Sequence, residues 1–193
     1  MLAEKLKNKH IILASGSPRR QHFLKELGLP FEIRLKDIEE NYPAHLKGSE
    51  ITDFLAILKA EPFLEQLQKD DLLITSDTIV WLDEKALGKP KDMEDARSML
   101  MNLSGKTHEV ISSVCITTKD SQITLNDSTL VKMKKLSAEE IDYYIKNFNP
   151  LDKAGSYGIQ EWFGYIAIEK IEGSYFNVMG FPTHKFYEAI IKM

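Results

Sequence analysis

The sequence predicts an α/β fold with a mixed central β-sheet flanked by helices, and three observations support this class. Helical and strand-like patterns alternate along the 193-residue chain, as is typical of α/β proteins. Residues 10–14, which are apolar from Ile11 onward, indicate a buried strand that leads directly into a helix start. Residues 108–118 and 122–134 are strand-like runs that indicate an antiparallel hairpin. Together these patterns favour a mixed sheet.

The first helix and the second strand follow within residues 17–35. Ser17 suits the N-cap of a helix and Pro18 its first position, while Gly28 suits its C-terminal end. Residues 31–35 alternate between apolar and polar side chains, which predicts a strand. A polar loop, residues 37–43, comes next.

The middle of the chain contains two helices around the strongest strand pattern. Ser49 predicts the cap of a long helix, which Pro62 would kink or divide. Residues 72–82 are the most strand-like stretch of the chain. Asp92 predicts the cap of a further helix that ends near Gly105.

The last third begins with a helix signal of high specificity. Residues 137–140 form a capping box, and the helix that they open should end before Pro150. A loop over residues 150–160, a strand near 164–171 and a last helix from Pro182 complete the prediction.

Composition and charge limit the possible classes of protein. We expect residues 1–193 to form one domain, although a lobe or an inserted hairpin is equally compatible with this length. The net charge of −4, with dispersed basic residues, argues against nucleic-acid binding. Cys115, the single cysteine, lies in an apolar run and should be a buried thiol. Because no apolar run suits a signal peptide or a membrane span, we expect a cytoplasmic protein without membrane contact.

Residues 15–20 (SGSPRR) place two arginines in the first turn of the predicted helix. Arginines there oppose the helix macrodipole, which favours anions at that end. A polyphosphate bound by backbone amides, hydroxyls and guanidinium groups would remove the conflict. Its ligands would be Ser15, Ser17, Arg19 and Arg20. A solvated helix start with exposed arginines explains this segment equally well when it is taken alone.

Asp77 and Thr78 interrupt the apolar strand over residues 72–82. A carboxylate among apolar side chains is unfavourable unless it is paired or binds a metal ion. A strand end, where Asp77 would face water, is the alternative. The apolar run resumes immediately, so the pattern favours a functional carboxylate.

Four further candidates for the functional site each have a purely structural explanation as well. Lys89 lies in a Gly-Lys-Pro turn, about a hairpin's length after Asp77, that could return it toward the same end of the sheet. Lys59, taken alone, would be a surface lysine of the long helix. Residues 152–160 and 173–182 suit either ligand loops or tight turns. Zinc, P-loop and dinucleotide-binding patterns are absent from the sequence, and the charged residues favour a hard cation and phosphate oxygens.

As a set, these segments resemble the Maf family of nucleotide pyrophosphatases. Residues 15–20 resemble the N-terminal signature of the family. Later family blocks have counterparts in the expected order at residues 76–80, 88–90, 103–108, 152–160 and 173–182. The likeness covers nearly the whole chain, and six ordered blocks are far more specific than any single one.

The resemblance implies a fold similar to that of the inosine triphosphate pyrophosphatases, with two lobes around a cleft, in a homodimer. It implies hydrolysis of a nucleoside triphosphate between the α and β phosphates with Mg²⁺, for which Mn²⁺ or a similar ion can substitute. By this likeness Asp77 is the proton acceptor and a metal ligand together with Glu40. Arg19, Lys59 and Lys89 would act in catalysis by contacting the phosphates.

Three positions separate the substrate branches of the family. They are Arg20, Thr78 and Gln160 here, and they resemble the dTTP/UTP branch rather than the 7-methyl-GTP branch. A glutamine amide can match both the donors and the acceptors of a pyrimidine edge. Two residues depart from the family pattern: Ser76 stands where alanine is more usual, and Glu161 stands where glycine often follows the glutamine.

Two other functions remain open at this level. The same reaction could act on 7-methyl-GTP or another modified nucleotide, or the chain could be a nucleotide-binding regulator of septum formation with little catalysis. A regulator would bind nucleotide without turnover. The combination of Asp77, Lys89 and Arg19 argues against it, because a carboxylate can activate water while cations stabilise the departing pyrophosphate.

Overall fold

A computed structural model describes residues 2–193 of the protein. The strands are β1 (His10–Leu13), β2 (Glu32–Ile33), β3 (Asp71–Leu82), β4 (Lys85–Leu87), β5 (Thr107–Thr117), β6 (Gln122–Met133) and β7 (Ile168–Glu172). The α-helices are α1 (Leu2–Lys5), α2 (Pro18–Glu26), α3 (Ser49–Leu58), α4 (Met93–Leu103), α5 (Ala138–Asn147), α6 (Trp162–Ala167), α7 (Tyr175–Val178) and α8 (Thr183–Lys192). Short 3-10 helices span Glu61–Gln66 and Ala154–Ser156.

The strands form one mixed sheet in the order β2-β1-β3-β5-β6-β7, with β4 paired to β3. Strand β1 runs parallel to both of its neighbours, so that Ile12 lies opposite Glu32 on one side and Leu73 on the other. The pairs β3–β4 and β6–β7 are antiparallel. The predicted α/β class with a mixed sheet is therefore confirmed.

The chain divides into two compact units. The first unit contains residues up to Asp77 together with Ser112–Asp127 and Gly180–Met193. The second unit contains Thr78–Ile111 and Ser128–Met179. That residues 1–193 act as one domain stays a prediction.

The first unit contains a core that β1 and β3 share with the segment after α3. Ile12 and Leu73 are fully buried, and they pack with Phe63 and Leu67 of the 3-10 helix region. Pro62 lies in the first turn of that 3-10 helix, so it divides the helical region as predicted. Cys115 of β5 is fully buried, which confirms the expected buried thiol.

The second unit has a larger core around α4, α5 and α6. Helix α4 packs against α5, and its Leu100 and Leu103 are fully buried. Tyr144 of α5 and Phe163 of α6 are also fully buried, with ring centroids 4.8 Å apart. This core lies beneath the loop that carries Gln160, because Ile159 belongs to the same apolar cluster.

Several predicted helix starts are confirmed by their capping bonds. Asp92 accepts a hydrogen bond from the Asp95 backbone N–H, and Ser137 and Glu140 form the complete capping box. Ser17 is the N-cap of α2, although its side chain makes no capping bond. The N-cap of α3 is Gly48, so the prediction of Ser49 is wrong by one residue.

The predicted strand near residues 164–171 is only half right. Residues Trp162–Ala167 form α6, and the strand begins at Ile168. Gly164 explains the difference, since a Cβ at this position would lie 1.8 Å from the Ile159 carbonyl oxygen. The helix can therefore approach the preceding loop only with glycine there. The short helices α1 and α7 were not predicted, and within residues 2–193 no helix combines the length and apolar character that crossing a membrane requires.

Candidate active site

Asp77 of β3 and Lys59 at the end of α3 form a close ion pair in the first unit. Lys59 Nζ lies 2.6 Å from Asp77 Oδ1 and 3.1 Å from Glu40 Oε1. The hydroxyl of Thr75 donates a hydrogen bond of 2.6 Å to the Ala56 carbonyl oxygen, which joins α3 to β3 nearby. Asp77 is buried, so this lysine has a more specific role than the surface lysine considered for Lys59.

The second carboxylate oxygen of Asp77 has a different environment. Oδ2 is buried and has no hydrogen-bond partner among residues 2–193. A buried oxygen of this kind is energetically unfavourable unless a proton, a cation or a donor approaches it. The strand therefore holds one carboxylate oxygen in an ion pair and leaves the other available for chemistry.

The acidic residues of this cluster suit a hard cation that is shared with a ligand. Within the described residues, no group of three or more His, Cys, Asp or Glu side chains could form a metal cage. Asp77 and Glu40 supply two carboxylates that both pair with Lys59. Mg²⁺ is commonly bound by one or two carboxylates together with substrate phosphates and water, so this donor set fits such an ion.

Arg20 connects three segments of the first unit. Its Nε donates to the Gly180 carbonyl oxygen at 3.0 Å, and its Nη1 donates to the Ser76 carbonyl oxygen at 2.9 Å and to Ser15 Oγ at 3.3 Å. Burial lowers the pKa of Arg20 to about 10, and the negative charge of Asp77 opposes this effect. Arg20 thus fixes the strand one residue before Asp77, and it is not a solvated arginine.

The remaining residues of the predicted phosphate site lie at the start of α2. Ser15 is buried, and its Oγ accepts a hydrogen bond of 3.3 Å from the Ser17 backbone N–H. Arg19 is half-buried, and its positive charge contributes to the lowered pKa of Arg20. The first unit therefore brings Ser15, Arg20 and Asp77 into one connected site, with Arg19 beside Arg20.

The other predicted residues, Thr78, Lys89 and Gln160, belong to the second unit. Thr78 is half-buried and Lys89 is exposed. Leu87 of β4 pairs with Val80 of β3 in an antiparallel hairpin. The chain therefore returns along β3, as predicted, and Lys89 follows two residues after this pair.

The loop that carries Gln160 is bonded to the turn that carries Lys89. The Gly155 N–H donates to the Gly88 carbonyl oxygen at 3.0 Å. Gly155 has a φ of +65°, and a Cβ there would lie 2.6 Å from Val80 Cγ2. Only glycine suits that backbone conformation and that space.

Sequence reasoning did not identify the residues that hold this loop. The Tyr144 hydroxyl donates to Glu161 Oε2 at 2.5 Å and accepts from the Gly158 N–H at 3.0 Å. Lys153 Nζ lies 3.0 Å from Glu161 Oε1. Glu161 departs from the family pattern, and this departure marks the position in the sequence. Nothing in the pattern of α5 marks Tyr144 as the hydrogen-bond partner of Glu161.

A second buried pair supports the same loop from β5. His108 Nε2 and Tyr157 Oη are hydrogen-bonded at 2.7 Å, and both side chains are buried. Burial lowers the pKa of His108 to about 4 and raises that of Tyr157. A neutral imidazole therefore forms part of the loop's support at neutral pH.

The fold and the site define a class of α/β proteins in which a carboxylate of the mixed sheet lies near a lysine at the end of one helix and an arginine of another. In fold, the chain is similar to the Ham1 protein of Staphylococcus aureus, with a TM-score of 0.54 and 15% sequence identity. That similarity covers 95% of this chain and 98% of the Ham1 chain. At this identity the similarity concerns the fold alone.

The sequence itself identifies the family. Residues 10–193 match the family model described as Maf-like protein, and the chain belongs to this family. It is 61% identical to the dTTP/UTP pyrophosphatase of Flavobacterium johnsoniae, over 98% of each chain. It is 56% identical to the dTTP/UTP pyrophosphatase of Christiangramia forsetii, over 100% of this chain and 98% of the relative. The resemblance predicted from the ordered motifs is therefore confirmed.

Proposed function

We propose that this chain is a nucleoside triphosphate pyrophosphatase that hydrolyses dTTP and UTP between the α and β phosphates. The products are the nucleoside monophosphate and pyrophosphate. The observation that carries the proposal is the buried Asp77, whose Oδ1 is paired with Lys59 while Oδ2 remains available. The two relatives that share 61% and 56% of their residues with the chain are both named dTTP/UTP pyrophosphatases, which supports this reaction and substrate class.

Asp77 is proposed to accept a proton from the attacking water. Lys59 holds Oδ1 at 2.6 Å and so orients the carboxylate, leaving Oδ2 to take the proton. The oxygen of the water attacks the α-phosphorus, and the bond between this phosphorus and the bridging oxygen breaks. Pyrophosphate leaves with the electron pair of that bond.

Cationic side chains are proposed to bind the triphosphate. Arg19 and Lys89 would contact phosphate oxygens, together with the hydroxyls of Ser15 and Ser17 near the start of α2. Arg20 shares this site, and its bonds to Ser15 and Ser76 also hold the backbone next to Asp77. Negative charge that develops on the departing pyrophosphate is stabilised by such groups.

The proposed cofactor is Mg²⁺, with Mn²⁺ or a similar ion as a substitute, held by Asp77 and Glu40. When bound, the ion would neutralise phosphate charge and assist ionisation of the attacking water. We also propose that the protein is a homodimer in the cytoplasm, as the family resemblance and the composition suggest. Light scattering coupled to size-exclusion chromatography tests the dimer, and metal titration after chelation tests the ion.

Selectivity for the base is proposed to depend on Thr78, Gln160 and Arg20. The test is pyrophosphate release with Mg²⁺ from dTTP, UTP, CTP, GTP, 7-methyl-GTP and ITP, with the monophosphate identified as the second product. Selective turnover of dTTP and UTP supports the proposal. Preference for 7-methyl-GTP would reject the assigned substrate, and tight binding without turnover would favour a regulator.

Gln160→Ala separates the base contact from the chemistry. We expect this variant to change the preferred nucleotide more than it changes the melting temperature, because Gln160 is half-buried and its Oε1 makes no hydrogen bond within residues 2–193. An unchanged substrate profile would remove Gln160 from base recognition.

A further inference from the structure

Three side chains of the 150–161 loop converge on one glycine. A Cβ at Gly158 would lie 2.9 Å from Lys153 Cε, 3.0 Å from Gln160 Nε2 and 2.8 Å from Glu161 Cδ. The Gln160 amide nitrogen and the Glu161 carboxyl group therefore approach the same point in space. A side chain at this position would displace the three side-chain ends from this arrangement.

The Glu161 carboxylate is held at both oxygens. Oε2 accepts the Tyr144 hydroxyl at 2.5 Å, and Oε1 lies 3.0 Å from Lys153 Nζ. Lys153 is itself almost fully buried, and it also contacts the Asn149 carbonyl oxygen at 2.5 Å and Asp152 Oδ1 at 2.7 Å. Charge-assisted hydrogen bonds among buried groups are strong and directional, so the carboxylate has a fixed position.

The fixed carboxylate lies near the neighbouring amide, because the Glu161 carboxyl carbon and Gln160 Nε2 lie 2.8 Å and 3.0 Å from the same point. The amide group of glutamine has a donor end, the NH₂, and an acceptor end, the carbonyl oxygen. A nearby carboxylate attracts the NH₂ end and repels the oxygen. In the structure, Nε2 lies at the point that the amide shares with Glu161, while Oε1 is buried without a partner among residues 2–193.

We propose that Glu161 is a positioning residue that orients the Gln160 amide, so that Oε1 is the acceptor presented to the base. This inference rests on the proposed function. Uracil and thymine carry an N3–H donor that Oε1 can accept, whereas N3 of cytosine is an acceptor that would face Oε1 unfavourably. Glu161 thereby sets discrimination between UTP and CTP without touching the nucleotide.

Glu161→Gln tests the proposal, because it removes the charge and keeps the size of the side chain. We expect the ratio of kcat/KM for UTP over CTP to fall about tenfold, since the Gln160 amide can then present either end. The change should come from a higher KM for UTP and a lower KM for CTP, with kcat for UTP within about threefold of the parent. An equal loss of kcat/KM for both nucleotides would indicate a merely structural role and overturn the proposal.

A matched control is available in the same unit. Lys134 Nζ and Glu140 Oε1 form another partly buried pair at 2.6 Å, and Glu140→Gln removes the same kind of charge from this separate pair. The ratio of kcat/KM for UTP over CTP should stay unchanged in this variant. A shift equal to that of Glu161→Gln would overturn the specific role of Glu161.

Tyr144→Phe provides a second test that does not alter Glu161. It removes the hydroxyl that positions the carboxylate, so the UTP over CTP ratio should fall in the same direction while the Glu161 charge is retained. If Glu161→Gln does not fold, this variant decides the question alone, and an unchanged ratio would overturn the proposal.

Failure of the proposed function gives a different result. The parent protein would then release no pyrophosphate from any nucleotide of the panel. The dissociation constants of UTP and CTP, measured by calorimetry with the parent and with Glu161→Gln, would still test the orientation of the amide. A parent preference for UTP that Glu161→Gln abolishes supports the role of Glu161, and equal affinities in the parent overturn it.

Discussion

The ammonium group of Lys59 lies 2.6 Å from Oδ1 of Asp77, across 18 residues of sequence. This pair determines which atoms of the carboxylate remain available, because Oδ2 is buried without a partner within residues 2–193. Glu40 Oε1 lies 3.1 Å from the same ammonium group. One lysine therefore pairs with both carboxylates that we propose as ligands of the metal ion.

Asp77→Asn should abolish hydrolysis while preserving the fold. The amide keeps the shape of the side chain but accepts no proton, so we expect kcat to fall by about 10²–10⁴-fold with nucleotide binding retained. Stopped assays of pyrophosphate release and calorimetric binding measure the two effects. Asp71→Asn is the matched control, because Asp71 is a buried carboxylate of the same strand that pairs with His10 at 2.8 Å. Full activity of Asp77→Asn would reject Asp77 as the proton acceptor.

Arg20→Lys should destabilise the protein even though the charge is preserved. A single ammonium group cannot reach the Gly180 and Ser76 carbonyl oxygens and Ser15 Oγ in the geometry of the guanidinium fork. We expect a loss of about 1–3 kcal/mol in the free energy of unfolding, measured in urea. Arg34→Lys, at a residue whose partner Glu32 is exposed, should change stability by less than about 0.5 kcal/mol. Equal stabilities of the two variants would contradict the anchoring role of Arg20.

Gly155→Ala should be destabilising for two independent reasons. The residue has a φ of +65°, and its new Cβ would lie 2.6 Å from Val80 Cγ2. We expect the free energy of unfolding to fall by about 1–3 kcal/mol, as measured by denaturant titration. Gly88→Ala is the control, since a Cβ at Gly88 would meet nothing within 4 Å. A Gly155→Ala protein as stable as Gly88→Ala would show that the loop adjusts freely.

The stability of the protein should decrease between about pH 6.5 and pH 4 because of His108. Burial lowers the pKa of this side chain from 6.5 to about 4, so the unfolded chain binds more protons than the folded chain in this range. The contribution is fully present above about pH 6.5 and is lost as the pH falls through the folded pKa, by about 3 kcal/mol in all. Thermal unfolding across this range measures the slope.

His108→Gln should flatten this pH dependence by the same amount, because glutamine does not titrate. Tyr157→Phe removes the hydroxyl hydrogen-bonded to His108 Nε2 at 2.7 Å but leaves the ring in place. Since burial is the cause of the lowered pKa, Tyr157→Phe should keep the slope. A slope that is unchanged in His108→Gln would assign the acid sensitivity to other groups.

Local signals in the sequence predicted most of the fold. The caps at Asp92 and Ser137 depend on side chains within three residues of the helix start, so the sequence alone reveals them. Gly164 misled the strand prediction because its role is a close approach to the Ile159 carbonyl oxygen, a contact that no periodicity shows.

The residues of the candidate site could be predicted from the sequence, but the contacts between them could not. Asp77 was conspicuous as a carboxylate within an apolar strand. Lys59 was not conspicuous, since its partner Asp77 is distant in the sequence. Only the packing of α3 on β3 brings the two side chains together. Likewise, Arg20 donates to the backbone carbonyls of Ser76 and Gly180, and backbone acceptors leave no mark in a sequence.

The single thiol of Cys115 allows the rate of local opening of the protein to be measured. Its sulfur is fully buried in β5, and its one hydrogen-bonding contact within residues 2–193 is Thr117 Oγ1 at 3.5 Å. A thiol reagent can react with it only after the strand has become exposed, so the labelling rate measures how often this part of the protein opens. Because the chain has a single cysteine, each labelled molecule records one opening event. Nucleotide binding that stabilises the folded protein should slow this labelling, and the measurement needs no substitution in the protein.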